Sequence, residues 1–184
     1  MLNYKIKLDT FFISEKHNYF GQKNNIPDTC KTLIPTTIEC VTQKGIVGDR
    51  FFDLRDDYDG QVTFMNSEVV EVIKKEHQGL FDNEVKAEHF RRNIMISGVN
   101  VIELIGKCFT IDGVTFEGIK HCAPCRWMDI MMGKGVMKLM KGRGGLRARV
   151  VSGGTLSLGD TTLRCEDSLN FPMTQALARP KIPT

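Results

Sequence analysis

Hydrophobic and polar residues alternate along much of the chain, and this period of two predicts a series of short β-strands. The pattern begins at residues 5–8, and an apolar run at 11–13 prolongs it. Asp112-Gly113 lies between two β-rich arms and predicts a hairpin, because both residues tolerate the positive φ of a tight turn. Further strands are predicted at residues 32–42, 61–65, 93–97, 109–119, 149–151, 155–158 and 161–165.

Helical patterns are fewer than strand patterns. Asn66 and Ser67 can cap a helix that runs to Gly79, and shorter helices are predicted at 126–132 and 136–140. Many short strands without a βαβ rhythm predict a mainly β fold, a β-barrel or rolled sheet with a few short helices.

The length of 184 residues is typical of one domain with a sizeable core. We predict a single barrel domain over residues 1–165 and a C-terminal extension over 166–184, where three prolines lie.

The amino-acid composition is that of an ordinary globular protein. Hydrophobic residues make up 41% and charged residues 26% of the chain, as in ordinary globular proteins, and the net charge of +3 does not argue for nucleic acid binding. The N-terminus is too polar for a signal peptide, and no apolar run is long enough to cross a membrane. We therefore predict a cytoplasmic protein that binds neither membrane nor nucleic acid and keeps its six cysteines as thiols.

One segment is locally basic. Six cations and no acidic residue lie between Lys134 and Arg149. The segment is either a solvated face or a surface that meets an anion or an acidic partner.

The candidate chemistry is concentrated in His121-Cys-Ala-Pro-Cys-Arg-Trp127. A structural zinc site needs four ligands, usually as two close pairs, and the other four cysteines are isolated from one another. A thioredoxin-like pair belongs in an α/β sheet, which this pattern does not predict, although a pair that resolves a reactive thiol stays open.

A third reading is a single reactive thiolate at Cys125. The amides that begin the helix at 126–132, together with Lys120 and Arg126, would lower the pKa of this thiol. Such a thiolate can attack sulfur, carry a persulfide or ligate a soft metal. The alternative is an inert buried cysteine.

Five stretches in fixed order around this cysteine resemble the MOSC domain, which is named for the C-terminal domain of molybdenum cofactor sulfurase. The resemblance covers roughly residues 31–165 and implies a β-rich barrel. The stretches are GIVGDR at 45–50, QVTFMNSE at 61–68, FRRNIMISG at 90–98, IGKCFTIDGVTFEG at 105–118, which leads into the CAPC segment, and GRGGLRARVVSGGTLSLGD at 142–160.

The resemblance also implies residue roles. The Pro-Cys position of the family falls on Cys125, which would carry sulfur as a persulfide or ligate molybdenum. Its Arg-x-Asn element falls on Arg91 and Asn93, which would hold the pterin and phosphate of the molybdenum cofactor. Asn66 and Ser67 would offer amides and a hydroxyl to the same anion.

Arg50 and Cys122 add to this candidate site. Arg50 can reach the pocket or pair with Asp49 or Asp53. Cys122 is a second thiol near Cys125, so that a disulfide could switch the site off or resolve a persulfide.

The chain also departs from its relatives. It has no aminotransferase-like domain, so we predict no pyridoxal phosphate in this chain. Residues 1–30 are too short for the N-terminal barrel region of the amidoxime-reducing relatives. Molybdenum cofactor binding is therefore expected to be weak, shared with a partner or lost.

Three functions follow. The first is a protein that handles the molybdenum cofactor or its sulfur through Cys125, with a cysteine desulfurase as a partner. The second is a molybdenum-dependent reductase of N-hydroxylated compounds, supplied with electrons by a separate electron-transfer protein. The third is a non-catalytic module whose basic segment docks an acidic partner and whose cysteine is structural.

Overall fold

A computed structural model of the protein describes residues 1–17, 30–77 and 84–178. The described elements alternate between many strands and a few short helices. The strands are β1 (Leu2–Phe11), β2 (Thr37–Val41), β3 (Gly45–Ile46), β4 (Val62–Asn66), β5 (Ile94–Ser97), β6 (Cys108–Ile111), β7 (Val114–His121), β8 (Leu146–Ser152), β9 (Gly154–Ser157) and β10 (Gly159–Cys165). The helices are α1 (Ser67–His77), α2 (Trp127–Met132) and α3 (Val136–Leu139), with 3₁₀ turns at Ala87–Phe90 and Val101–Leu104.

Seven strands close into a barrel in the order β1-β10-β6-β7-β8-β4-β5, and β5 pairs with β1 to complete the ring. Every pair is antiparallel except β4 and β5, which run parallel. A parallel pair needs a crossover connection, and the connection between β4 and β5 contains α1. The predicted mainly β barrel with a few short helices is confirmed.

A second, three-stranded sheet in the order β3-β2-β9 lies beside the barrel. Gly45 in β3 has φ +105°, and a Cβ there would lie 2.7 Å from the carbonyl oxygen of Gln61. The glycine is therefore required both for the backbone conformation and for the close approach of the two chains.

The barrel interior follows the alternation that the sequence predicts. On β8, the side chains of Leu146, Ala148 and Val150 are buried inside the barrel, and those of the arginines between them point outward. The β6–β7 hairpin is formed as predicted, with Ile111 opposite Val114.

A second apolar cluster lies on the outside of the barrel. The outward side chains of Met65 on β4 and Met95 on β5 pack against residues of all three helices and of the first 3₁₀ turn. Trp127 and Met128 at the start of α2 belong to this cluster. The helices thus form a layer over β4 and β5, and the segment that carries Cys125 leads into that layer.

Beyond β10, the chain is attached to the barrel by hydrogen bonds as far as residue 178. The Glu103 carboxylate accepts from the backbone N–H groups of Asn170 and Phe171. The Leu177 N–H donates to the Gly142 carbonyl over 2.9 Å. In the part of the chain that the structure describes, no helix has the length and apolar character needed to span a bilayer.

Candidate functional site

A cavity of about 310 Å³ lies outside the barrel, where its wall meets the helical layer. Thr63 on β4 and Arg147 on β8 are register partners, and both lie between residues that face the barrel interior. Their side chains therefore point outward and line the cavity floor. The other lining residues are His17, Arg50, Phe51, Tyr58, Gly60, Arg91, Arg92, Cys122, Ala123, Cys125, Trp127 and Met128.

The charge of this cavity is one-sided. Four guanidinium groups line it, and no aspartate or glutamate does so among the described residues. Within 4.0 Å of these arginines the described ion pairs include a single carboxylate, that of Asp49, which lies 3.5 Å from Arg50. The electrostatics of a cavity with this excess of cations suit an anionic ligand.

Arg92 is buried and bound entirely to backbone carbonyls. Its Nε donates to Gly144 over 2.7 Å, and its two terminal nitrogens donate to Phe90 over 2.6 Å and to Cys122 over 3.0 Å. These bonds fix the guanidinium without neutralising its charge. Arg92 therefore both links three chain segments and contributes positive charge to the cavity wall.

Arg50 is held by a buried carboxylate. The Asp49 side chain is fully buried, and its Oδ2 accepts from Asn93 Nδ2 over 3.0 Å and from the Ser14 N–H over 3.3 Å. The Arg50 side chain is only 8% exposed, and its buried Nε has no hydrogen-bond partner among the described residues. Burial lowers the pKa of Arg50, Asp49 opposes this effect, and Arg92 adds to it. A bound anion would offset both the energetic cost of burying the Arg50 charge and its repulsion by Arg92.

Arg91 lies at the boundary between the helical layer and the cavity. It is a non-glycine residue in the left-handed conformation (φ 57°, ψ 41°), directly after the first 3₁₀ turn. Its guanidinium lies over the Trp127 ring, 5.1 Å from the ring centroid. This stacking contributes about 0.5–1 kcal/mol at partly exposed positions and orients the group.

Arg147 and Cys122 form the inner end of the site. Cys122 follows β7 and is 4% exposed, and its N–H donates to the Gly145 carbonyl over 2.8 Å. Burial lowers the pKa of Arg147, but the neighbouring Cys122 and Tyr58, including a side-chain hydrogen bond with Cys122, raise it above its ordinary value.

Cys125 is half-buried and therefore more exposed than Cys122. It directly precedes the α2 N-cap residue Arg126, and its carbonyl accepts from the Met128 N–H over 3.0 Å. Lys120, which the sequence placed near this thiol, instead binds Asp59 over 2.6 Å. The cations that accompany Cys125 in the cavity are the arginines.

His121 supports the inner wall. Its Nε2 accepts from the Gly144 N–H over 3.1 Å, so this ring is neutral and carries its proton on Nδ1. Burial, together with Arg92, lowers the pKa of His121 to about 4. His17 lies at the outer side of the cavity, where burial and the charges of Arg50 and Arg91 also lower its pKa.

The structure brings four of the predicted site residues together in the cavity: Cys125, Cys122, Arg91 and Arg50. Asn93 lies behind the wall. Its Oδ1 accepts from the Thr63 hydroxyl over 2.8 Å, and its Nδ2 donates to Asp49. All its side-chain groups are occupied within the protein, so its contribution to the site is to hold Asp49 and Thr63.

Asn66 and Ser67 lie away from the cavity. Asn66 is three residues along β4 from Thr63, roughly 10 Å at the usual rise per residue. Its amide donates to the Val99 carbonyl and accepts from the Val101 N–H, and the Ser67 hydroxyl donates to Asp9 over 2.6 Å. These bonds join β4 and α1 to neighbouring segments.

Arg92 and Arg147 are the site residues that sequence reasoning missed. Arg92 stands between the two residues chosen from the FRRN stretch, and Arg147 was included only in the general basic segment. The signal for Arg147 was present: between inward Leu146 and Ala148, a period of two places its side chain on the outer face.

The closed barrel with a cationic cavity and two thiols on its outside defines the chain as a single-domain β-barrel protein. The family model of the MOSC domain matches residues 43–162. The chain therefore belongs to the MOSC domain family, as the order of its motifs indicated.

Solved structures show the same fold. The YuaD protein from Bacillus subtilis superimposes with a TM-score of 0.68 at 15% identity, covering 88% of this chain and 96% of that one. YiiM from Geobacillus stearothermophilus gives 0.61 at 12% identity, covering 88% and 75%. YiiM from Escherichia coli gives 0.59 at 16% identity, covering 96% and 76%. At these identities the likeness establishes the fold alone, and no curated protein matches the chain in sequence.

Proposed function

We propose that the cavity handles the molybdenum cofactor or its sulfur, with Cys125 as the thiolate that carries persulfide sulfur or ligates molybdenum. The observation that carries this proposal is the meeting of a half-buried thiol with four arginines in a cavity lined by no described carboxylate. Membership of the MOSC family supports the choice of ligand.

The anionic part of such a ligand matches the arginines. A phosphate presents several acceptor oxygens, and a guanidinium presents donors in a planar fork. The buried and unsatisfied Nε of Arg50 gives one donor for this purpose, and Arg91 and Arg147 line the same cavity. These three residues would hold the phosphate, and the buried Arg92 would add positive charge from the cavity wall.

The remaining features also fit the cofactor. The volume of about 310 Å³ lies at the lower end of the range of roughly 300–1,000 Å³ for small-molecule sites. No three histidine, cysteine or acidic side chains in the described part of the chain are grouped to hold a metal ion. Metal held here would therefore need ligands from a bound group as well as a protein thiolate. The molybdenum cofactor would supply the first part, a redox-active metal already coordinated by sulfur, and Cys125 would supply the thiolate.

The thiol step needs only a sulfur donor, which we assign to a persulfide on the cysteine of a partner desulfurase. The Cys125 thiolate attacks the outer sulfur of that persulfide, and the donor's sulfur–sulfur bond breaks. The donor leaves as a thiolate, and Cys125 carries the transferred sulfur as its own persulfide. The arginines stabilise the negative charge that this group carries.

The experiment compares protein purified from cells that make the molybdenum cofactor, as wild type, Cys125→Ser and the matched control Cys108→Ser. Cys108 is exposed on β6, away from the cavity. We expect molybdenum by elemental analysis, or one extra sulfur atom by intact mass, in the wild type and Cys108→Ser but not in Cys125→Ser.

Equal molybdenum and equal sulfur in all three proteins would contradict the assignment of Cys125. Absence of both from the wild type, even after incubation with a persulfidated desulfurase, would contradict the function itself. If molybdenum is present, turnover of N-hydroxylated bases with an artificial electron donor would distinguish a reductase from a carrier.

A further inference from the structure

The six cysteines occupy different environments. Cys40 on β2 and Cys165 on β10 are packed into the main hydrophobic core, and burial raises the pKa of Cys40 to about 12, with Glu39 adding to the effect. Cys122 is just as buried, at 4% exposure, yet it belongs to neither apolar cluster and borders the cationic cavity. Its burial is therefore of a different kind from that of a structural core cysteine.

The backbone on either side of this thiol is fixed. The Cys122 N–H donates to Gly145, and its carbonyl accepts from the buried Arg92. Gly144 packs so closely that a Cβ there would lie 2.1 Å from the Cys122 carbonyl oxygen. The thiol consequently has a defined position, which a group that reacts with a neighbour requires.

The charges around the thiol suit an anionic sulfur. Arg147 and Arg50 line the cavity together with Cys122, and both interact with it electrostatically. Thiolates are stabilised by adjacent arginines, and a persulfide is anionic under the same conditions. Sulfur that reached Cys122 would be held among three guanidinium groups.

The two thiols of the cavity differ in how accessible they are to another protein. Cys125, the outer thiol, is half-buried, whereas Cys122, the inner thiol, is almost completely buried. A protein that donates sulfur can reach the outer thiol and not the inner one.

We infer that Cys122 is a second sulfur carrier, which takes sulfur from Cys125 and holds it deeper in the cavity beside Arg147 and Arg50. The inference rests on the proposed sulfur function of Cys125. In this step the Cys122 sulfur attacks the outer sulfur of the Cys125 persulfide, and the sulfur–sulfur bond at Cys125 breaks.

The step is balanced without an oxidant or a reductant. The outer sulfur moves to Cys122 together with its own hydrogen, and the proton of the Cys122 thiol passes to the departing Cys125 thiolate. One sulfur atom moves from Cys125 to Cys122, and no disulfide forms between the two cysteines. The product is a persulfide within the arginine cluster, next to the place assigned to the anionic ligand.

The test uses a limiting amount of a persulfidated sulfurtransferase as donor, with alkylation of samples over time and mass spectrometry of the peptides. In the wild type, we expect the added sulfur on Cys125 first and then on Cys122. In Cys125→Ser, labelling of Cys122 should be about tenfold slower or absent, because the donor cannot reach it. In Cys122→Ser, sulfur should remain on Cys125.

Arg147→Met serves as a second variant that leaves both thiols in place. Because Arg147 also lines the cavity around Cys125, the measured quantity is the ratio of sulfur on Cys122 to sulfur on Cys125. That ratio should fall in Arg147→Met, and Arg147→Lys should restore part of it. Circular dichroism establishes that each variant is folded.

The outcomes separate the two claims. If Cys125 takes up no sulfur in the wild type, the proposed function fails, and the relay fails with it. If Cys125 loads but Cys122 never does, or if Cys122 loads as fast in Cys125→Ser as in the wild type, the relay alone is overturned.

Discussion

The clearest structural prediction concerns Arg92, whose guanidinium binds the carbonyls of Gly144, Phe90 and Cys122. Arg92→Lys keeps the positive charge but can replace only one of these three bonds. Hydrogen bonds to a charged group contribute about 1.5–3 kcal/mol each, so two lost bonds lower the free energy of unfolding by about 3–6 kcal/mol.

That loss is a large fraction of the usual stability of a domain, about 5–15 kcal/mol. Urea unfolding followed by circular dichroism measures it directly. Arg91→Lys is the matched control, because Arg91 is half-buried and mainly stacked on Trp127, and the expected cost is about 1 kcal/mol. Equal losses in the two variants, or a loss below about 0.5 kcal/mol in Arg92→Lys, would refute the assignment of Arg92 as a bridge between segments.

Three further predictions concern groups around the site. Cys40, with its pKa raised to about 12 by burial, should stay unmodified when the native protein is alkylated at mildly alkaline pH, whereas Cys125 reacts; equal rates by peptide mass spectrometry would contradict this. Because the pKa of His121 is lowered to about 4 in the folded state, and is near 6.5 when unfolded, the unfolded chain binds the proton first and stability should fall as pH drops through that window. His121→Gln should lose this part of the pH dependence, and an unchanged profile would count against it. Gly144→Ala, whose Cβ would meet the Cys122 carbonyl at 2.1 Å, should destabilise the protein more than Gly106→Ala, where nothing lies within 4 Å of the added carbon; the reverse order in thermal unfolding would contradict the close packing.

The fold was predictable because most strands have one face inside the barrel. The alternation on β8 and the Asp112-Gly113 turn each show the local pattern that the structure has. The short β3 and the 3₁₀ turns carry no such pattern, since two to four residues are too few to show a period.

The site was predictable only in part, because its residues come from distant segments. The thiol at Cys125 could be chosen from local sequence, and Arg50 and Arg91 from the family motifs. Arg92 and Asn93 are both buried and hydrogen bonded, but Arg92 lines the cavity, whereas the Asn93 side chain binds Asp49 and Thr63 outside the lining. Which of these side chains lines the cavity depends on tertiary packing, and the sequence pattern alone does not show it.

The chain has a single tryptophan, Trp127, and it lines the cavity, so its fluorescence reports directly on ligand binding. The deciding measurement is an anaerobic titration with molybdenum cofactor released from a molybdenum enzyme, on the wild type, Arg50→Met and the control Cys108→Ser. The account predicts saturable quenching in the wild type and the control, and binding about tenfold or more weaker in Arg50→Met, because a buried charge-assisted bond is lost. No change in Trp127 fluorescence, or equal affinity in all three proteins, would contradict the claim that this cavity is the cofactor site.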